Sequence, residues 1–545
     1  MKNLALRILL LFCILGGQLN AQKQPKIIVG IVVDQMCYDY LYRYQQHFVP
    51  GGFNRFLNKG LNCRNTLYNY VPTYTGPGHA SIYTGTTPSN HGIVANEWYQ
   101  RDTKTFVNCV SDKTVQTVGS TSLEGQTSPR NLRTYTVTDQ LKLASPESKV
   151  ISISIKDRSS ILPGGHLSDG SYWYDYASGT FITSTYFKPE LPKWLQQFNA
   201  TKNADKYLKK WDLLYPKTNY KSKDESPYEV VLGGKTSAIF PYDFKEMSAV
   251  SNNAHQLFTI SPFANELLTD LAIEAMSREQ LGLDNKTDML CISYSTPDIA
   301  GHAFGPYSLE MEDMYARLDR QLEKLLSYLE SMYGKDGFVV FLTADHAVVP
   351  VPQMLVDRKM PGGYLFLNER LSSLRKELAQ KYGADVIEAE ENQNIYLNQT
   401  RLDSLNLAKQ EVAGYIAEQI RKWPEVKLAI TQSALLSGNE TLDEWGQMIQ
   451  KGFDIERSGE VIFMLQPGYL AKAIDEPKAH TGTSHGSAFN YDTHVPLLWY
   501  GANIPSQNCY RPIQIVDIAP TLIHLMNLQR TGAMTGTPIL EILQK

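Results

Sequence analysis

The sequence predicts an α/β protein: an open, mostly parallel sheet flanked by helices, with cap segments inserted into it. Three observations carry that expectation. Short apolar runs rich in Val and Ile recur along the 545 residues, and several stop at a polar cluster. The runs are continuous rather than alternating, which suits strands buried on both faces of a parallel sheet. Between them, apolar residues recur at three- and four-residue spacing, as in amphipathic helices.

Taken in order, Lys26–Val33 is a strand that runs into Asp34. Val150–Ile155 is a second strand and leads to Lys156-Asp157-Arg158. Met289–Tyr294 leads to Asp298, and Phe338–Thr343 leads through Ala344 to Asp345-His346. A later run, Val495–Tyr500, is preceded by His485. Helices are expected over Ala264–Ser277, Ser308–Met332, Glu369–Tyr382 and Leu405–Lys422. In the second of these, Met311, Met314, Tyr315, Leu318, Leu322, Leu325 and Leu329 form one stripe, read as core. Open α/β sheets bind ligands beyond the carboxyl ends of their strands, where most of these polar residues fall.

Two stretches break the alternation. Residues from about 159 to 260 are rich in Tyr, Trp, Lys, Pro and Ser, and residues from about 351 to 480 form a mixed α+β block. Both read as insertions in a single catalytic domain spanning 22–545, because candidate site residues occur on each side of them. Either could cap a site. A hydrophobic share of 43%, with 37 Gly and 27 Pro, excludes collagen-like and disordered chains. A net charge of −4 lacks the basic footprint of a nucleic-acid binder, so the expected partners are small molecules and no nucleic acid.

Residues 1–21 read as a signal peptide: Lys2 and Arg7 supply the charge, Ile8–Leu15 the apolar run, and Ala21 the small residue before cleavage. Phe12 precedes Cys13 where a lipobox needs a small residue, so no lipid anchor is expected. No other run approaches the ~18 apolar residues of a membrane span. The mature chain is therefore expected to be periplasmic or secreted, without a membrane anchor. Cys37, Cys63, Cys109, Cys291 and Cys509 remain, none in zinc-finger spacing. An odd count in an oxidising compartment allows at most two bridges and leaves one thiol over, and the pairing is open. Cys37 and Cys291 read as small buried hydrophobes.

Carboxylates and imidazoles are the sharpest chemical signal. Asp298-x3-His302, Asp345-His346 and His485 occur in three separate places, and Asp34 adds a fourth. Such donors suit Zn²⁺, although each Asp taken alone could be a helix cap. The candidate nucleophile is Thr75, in Pro72-Thr73-Tyr74-Thr75-Gly76-Pro77-Gly78-His79. There a tight turn opens a helix whose unpaired amides suit a phosphate. From the residues alone Thr75 is equally an N-cap. His79, His91 and His166 read as structural, and His47, His255, His480, His494 and His524 lack a supporting context.

With Val33-Asp34-Gln35-Met36, Gly92-Ile-Val-Ala-Asn96-Glu-Trp98, Ser154-Ile-Lys156-Asp-Arg158 and Gly482-Thr-Ser-His485-Gly, these motifs resemble the alkaline phosphatase superfamily. Within it they are most similar to the monomeric, phosphate-insensitive PafA-type enzymes, over nearly the whole chain after residue 21. The resemblance implies two Zn²⁺ per chain and a monomer. One ion would be held by Asp298, His302 and His485, the other by Asp34, Asp345 and His346. Thr75 would bind the second ion and attack phosphorus. Asn96, Lys156 and Arg158 would contact the phosphoryl oxygens, with the Lys and Arg standing where some relatives build a Mg²⁺ site.

The implied activity is hydrolysis of phosphate monoesters through a phosphothreonine. A monoester offers three non-bridging oxygens and nearly two charges, which repay the two cations; a diester would be crowded by them. The alternative is a nucleotide pyrophosphatase/phosphodiesterase on the same ligands. A sulfatase would need Cys or Ser followed by Pro and Arg at fixed spacing, whereas Thr75 is followed by Pro77 and His79. The leader argues against a cytoplasmic phosphoglycerate mutase, and the complete nucleophile and ligand set argues against a non-catalytic phosphate-binding protein.

Overall fold

The computed structural model describes residues 24–251, 253–437, 442–476 and 480–543. The proposed signal peptide lies outside them. A ten-stranded mixed sheet forms the core. In chain order its strands are β1 (Ile27–Val33), β2 (Leu61–Cys63), β3 (Thr117–Val118), β4 (Val150–Ser154) and β5 (Gly170–Asp175). They continue with β6 (Thr180–Ser184), β7 (Asp288–Tyr294), β8 (Phe338–Thr343), β9 (Leu497–Gly501) and β10 (Gln507–Cys509). The spatial order is β10-β2-β9-β8-β1-β7-β4-β5-β6-β3.

The centre is parallel, as continuous apolar runs require. β1 pairs with β7 and β8, β7 with β4, and β4 with β5, all in parallel. Every residue of β1, β4, β7 and β8 is buried. The flanks depart from the expectation: β9 runs antiparallel to β8, and β6 antiparallel to β5. Antiparallel pairing needs no crossover helix, so β5 and β6 are joined by a short turn. Residues 170–184, expected inside an insertion, are therefore strands of the main sheet. Their aromatic residues Tyr172, Trp173 and Tyr174 are buried.

Three helices position the site, α1 (Thr75–Thr84), α2 (Asp157–Gly164) and α3 (Thr296–Phe304), and a long helix, α4 (Leu309–Tyr333), packs against α3. Ser308 caps α4 by accepting from Met311 N, and the Met311–Leu329 stripe is buried as expected. The other expected helices occupy Phe263–Arg278, Leu367–Tyr382 and Lys409–Ile420. Within 351–480 a separate four-stranded sheet encloses its own apolar cluster, including Leu378, Ile395, Ile416 and Phe463. Among the described residues no helix is long and apolar enough to cross a membrane.

Candidate bimetallic active site

β1 and β8 are hydrogen-bonded neighbours with Val32 opposite Thr343, so both deliver their following residues to one rim. Asp34 comes from one strand, Asp345 and His346 from the other. Their ligand atoms lie within 4.8 Å of one another. His346 Nε2 is 3.4 Å from Asp34 Oδ1 and 3.5 Å from Asp345 Oδ2. Among the described residues neither carboxylate oxygen has a hydrogen-bond partner, although His79 Nδ1 lies 3.3 Å from Asp345 Oδ2. Buried carboxylate lone pairs left unmet are costly unless a cation meets them, so the residues fit a divalent ion.

A second triad stands beside this inner one. α3 carries Asp298 in its first turn and His302 one turn later, on the same face. His485 arrives from the Gly482–Gly486 loop. Asp298, His302 and His485 also bring their ligand atoms within 4.8 Å. His302 Nε2 is 3.2 Å and His485 Nε2 3.6 Å from Asp298 Oδ1. The rings of His346 and His485 stack with centroids 3.4 Å apart, joining the two groups.

The three imidazoles share one orientation. Nδ1 of His302, His346 and His485 lies 2.8, 3.0 and 2.8 Å from the carbonyls of Thr483, Ala347 and Thr73. A carbonyl can only accept, so each Nδ1 carries the proton and each Nε2 lone pair turns inward. That is the tautomer a metal ligand needs, fixed by the backbone.

Thr75 is the first residue of α1. Tyr74 occupies the N-cap position with no side-chain cap bond. Thr75 is thus not the N-cap, and its hydroxyl points to His346 Nε2 at 3.5 Å. Gly76 N donates to Asn96 Oδ1 at 2.7 Å, which leaves the Asn96 amide nitrogen for a ligand. Gly78 lets α1 touch the inner triad: a Cβ there would stand 2.3 Å from the Asp345 carbonyl. His79, expected to be structural, anchors the same contact. Its Nδ1 is 2.9 Å from Thr75 O and 3.3 Å from Asp345 Oδ2, and its Nε2 is 2.8 Å from Ser293 Oγ.

Lys156 bridges the triads. Its Nζ is 2.7 Å from Asp34 Oδ2 and 2.5 Å from Asp298 Oδ2. Lys156 is the N-cap residue of α2 and Arg158 lies in its first turn. Cations at a helix N-terminus oppose its dipole, so this placement carries a local cost that a bound anion would offset. Arg158 Nε is buried with no hydrogen-bond partner among the described residues.

Burial, then repulsion from Asp298 and Asp345, drives the Asp34 carboxyl well above the ordinary range, with Lys156 compensating only in part. Burial also opposes charge on Asp298, but His302 and Lys156 outweigh it and hold that group well below the usual value. For Lys156, burial is outweighed by Asp298 and Asp34, and the ammonium is stabilised. Burial, aided by the neighbouring His346, pushes His485 down and keeps its ring neutral.

Gln35 has no individual sequence signal, only its place beside Asp34. At φ 66° it turns the chain off β1. Its backbone N donates to Asp345 Oδ1 at 3.2 Å and its Nε2 to Asp298 Oδ1 at 2.6 Å. One residue thereby orients a carboxylate in each triad. Close by, the 351–480 segment contributes Gln393, Met464 and Tyr469 to a cavity of about 250 Å³ whose other wall includes Tyr74, Ser484 and His485. All ten residues singled out in the sequence lie in or beside this centre. His166 and His480 bond instead to Asp139 and Asp475, outside it.

The family model for type I phosphodiesterase / nucleotide pyrophosphatase matches residues 28–488. Alkaline phosphatase PafA of Elizabethkingia meningoseptica is 39% identical over 99% of both chains. Alkaline phosphatase PhoV of Synechococcus elongatus is 37% identical over 100% of both. The crystal structure of wild-type PafA superposes with a TM-score of 0.90 at 38% identity, covering 96% of this chain and 100% of that one. Murine ectonucleotide pyrophosphatase/phosphodiesterase 5 shares the fold alone, with a TM-score of 0.51 and 13% identity over 94% of this chain and 97% of its own. The chain belongs to the type I phosphodiesterase/nucleotide pyrophosphatase family and, within it, to the PafA-type alkaline phosphatases.

Proposed function

We propose that this phosphomonoesterase, an alkaline phosphatase like PafA and PhoV, holds two Zn²⁺ and transfers the phosphoryl group to Thr75. One observation carries the reading: two carboxylate–imidazole triads meet around Lys156, with the Thr75 hydroxyl at the inner one. Three carboxylates and three imidazoles, without thiolates, suit a borderline divalent ion such as Zn²⁺. Bound there, the ions would supply Lewis acidity to the entering and leaving oxygens.

The chain's own groups account for the rest. Thr75 Oγ1 forms the bond to phosphorus in line with the leaving oxygen, giving a phosphothreonine and releasing the alcohol. Water then attacks that phosphorus, restoring the hydroxyl and freeing phosphate. Asn96, its oxygen occupied by Gly76 N, presents its amide N–H to a non-bridging oxygen. Lys156 and Arg158 meet the remaining charge, which favours a dianionic monoester over a diester. The leader supports export, and the presence of ligands on both sides of the 351–480 segment supports one catalytic domain with insertions.

Metal analysis paired with hydrolysis of an aryl phosphate and its methyl aryl diester tests this reading. Two equivalents of zinc and a strong monoester preference are expected. A preference for the diester would assign the phosphodiesterase alternative instead.

A further inference from the structure

Away from the bimetallic centre, two cysteines meet at the edge of the main sheet. β2 and β10 run parallel, with Leu61, Asn62 and Cys63 opposite Gln507, Asn508 and Cys509. Directly opposed residues on adjacent strands project from the same face, and the strands lie about 4.8 Å apart. Both are free thiols in the structure, and a disulfide accommodates Cα separations of roughly 4.4–6.8 Å, a range that includes this spacing. Each thiol acts on the other's ionisation, Cys509 pushing Cys63 up and Cys63 pulling Cys509 down. Cys63 is fully buried and Cys509 is 3% exposed. Cys509 Sγ donates to Glu541 Oε1 at 3.1 Å, and Arg511 grips that carboxylate through both of its oxygens.

The other cysteines have different neighbours. Cys37 Sγ faces the Val348 carbonyl, Cys109 Sγ lies against Gly76, and Cys291 Sγ, on β7, faces the Pro163 carbonyl. The open choice among five cysteines therefore narrows to one pair.

We propose that Cys63 and Cys509 form a native disulfide that staples the C-terminal edge strand β10 to β2, made by exchange with a small-molecule or protein disulfide. Cys509, nearer the surface, gives its proton to solvent and attacks one sulfur of that oxidant. The oxidant's S–S bond breaks and one thiolate leaves, to be protonated. Cys63 then loses its proton and attacks the Cys509 sulfur, releasing the second thiol. Two cysteine thiols are oxidised, and one external disulfide is reduced to two thiols. The product closes a loop spanning most of the chain, which restricts the unfolded state and holds a three-residue strand that has a neighbour on one side only.

Export supplies the oxidant, so the test separates supply from geometry. The full chain, produced with its own leader in an exporting bacterial host, is denatured without reductant, alkylated and digested. Joined Cys63 and Cys509 peptides with Cys37, Cys109 and Cys291 alkylated are expected. Alkylation of all five, or linkage of either residue to another cysteine, overturns the native bond. A second sample, unfolded and refolded with glutathione disulfide, should form the same link; failure there overturns the geometric pairing itself. Reductant should lower the Tm of the linked enzyme by about 4 °C and leave Cys63→Ser and Cys509→Ser unmoved. An equal reductant shift in those variants also refutes it. If the variants do not fold, peptide mapping alone decides.

Discussion

The two triads offer the same donor types in different settings. Asp34, Asp345 and His346 hang from adjacent central strands and are 0% exposed. Their geometry is that of the sheet. Asp298, His302 and His485 come from a helix and a distant loop, and the His302 side chain is 38% exposed. The inner triad is a buried floor beside which α1 places Thr75. The outer one opens towards solvent, where a leaving alcohol and an incoming water can pass. Lys156 touches a carboxylate of each and keeps their charges from facing one another unpaired.

If the inner triad serves the nucleophile, Thr75→Ala should cost most: about 10³-fold or more in monoester kcat/KM, with zinc content kept. Thr75→Ser should retain substantial turnover. An active Ala variant would remove Thr75 from the chemistry. Next, Asp345→Asn and His302→Ala should each bind one zinc fewer. The inner change should cost roughly 10³-fold and the outer roughly 10²-fold, because only the inner triad meets Thr75. Atomic emission on the purified variants reads the first claim and initial rates the second. Equal losses would erase the functional distinction.

Replacing both Lys156 and Arg158 with Ala should lower monoester turnover at least about 10-fold more than diester turnover. Parallel losses would make Lys156 a structural partner of Asp34 and Asp298 only. The smallest effect concerns stability. Ionised Asp34 is destabilising because its folded pKa is raised; its favourable contribution is complete below the unfolded value of 3.8 and is lost as pH rises through the folded one. Metal-free Asp34→Asn should therefore melt a few degrees above metal-free wild type at pH 8, with the gain shrinking towards pH 4. A lower Tm at pH 8 would show that Lys156 pairing outweighs burial and repulsion.

Much of the site was legible where chemistry follows a local element. Asp34 and Asp345-His346 stand out because each ends a continuous apolar strand, and Asp298-x3-His302 because a carboxylate and an imidazole follow another such strand; the helix that puts both on one face was not expected. His485 lies beyond a long insertion, with no periodicity to tie it to the others, and only its motif marks it. Gln35 was not legible individually, since its role depends on a positive φ that no propensity announces. The direction of β9 and the membership of β5 and β6 were also hidden, because an apolar run does not state its pairing partner.

The sequence by itself determined the layered α/β class, the donor types and the attachment of several of them to strand ends. These follow from periodicities and chemistry that act over a few residues. Only the tertiary structure decided that Lys156 faces two carboxylates, that three imidazoles turn the same nitrogen inward, and that Cys63 stands opposite Cys509. Those outcomes depend on strand register and chain crossing between residues far apart in sequence, where a shift of one position would point every side chain the other way.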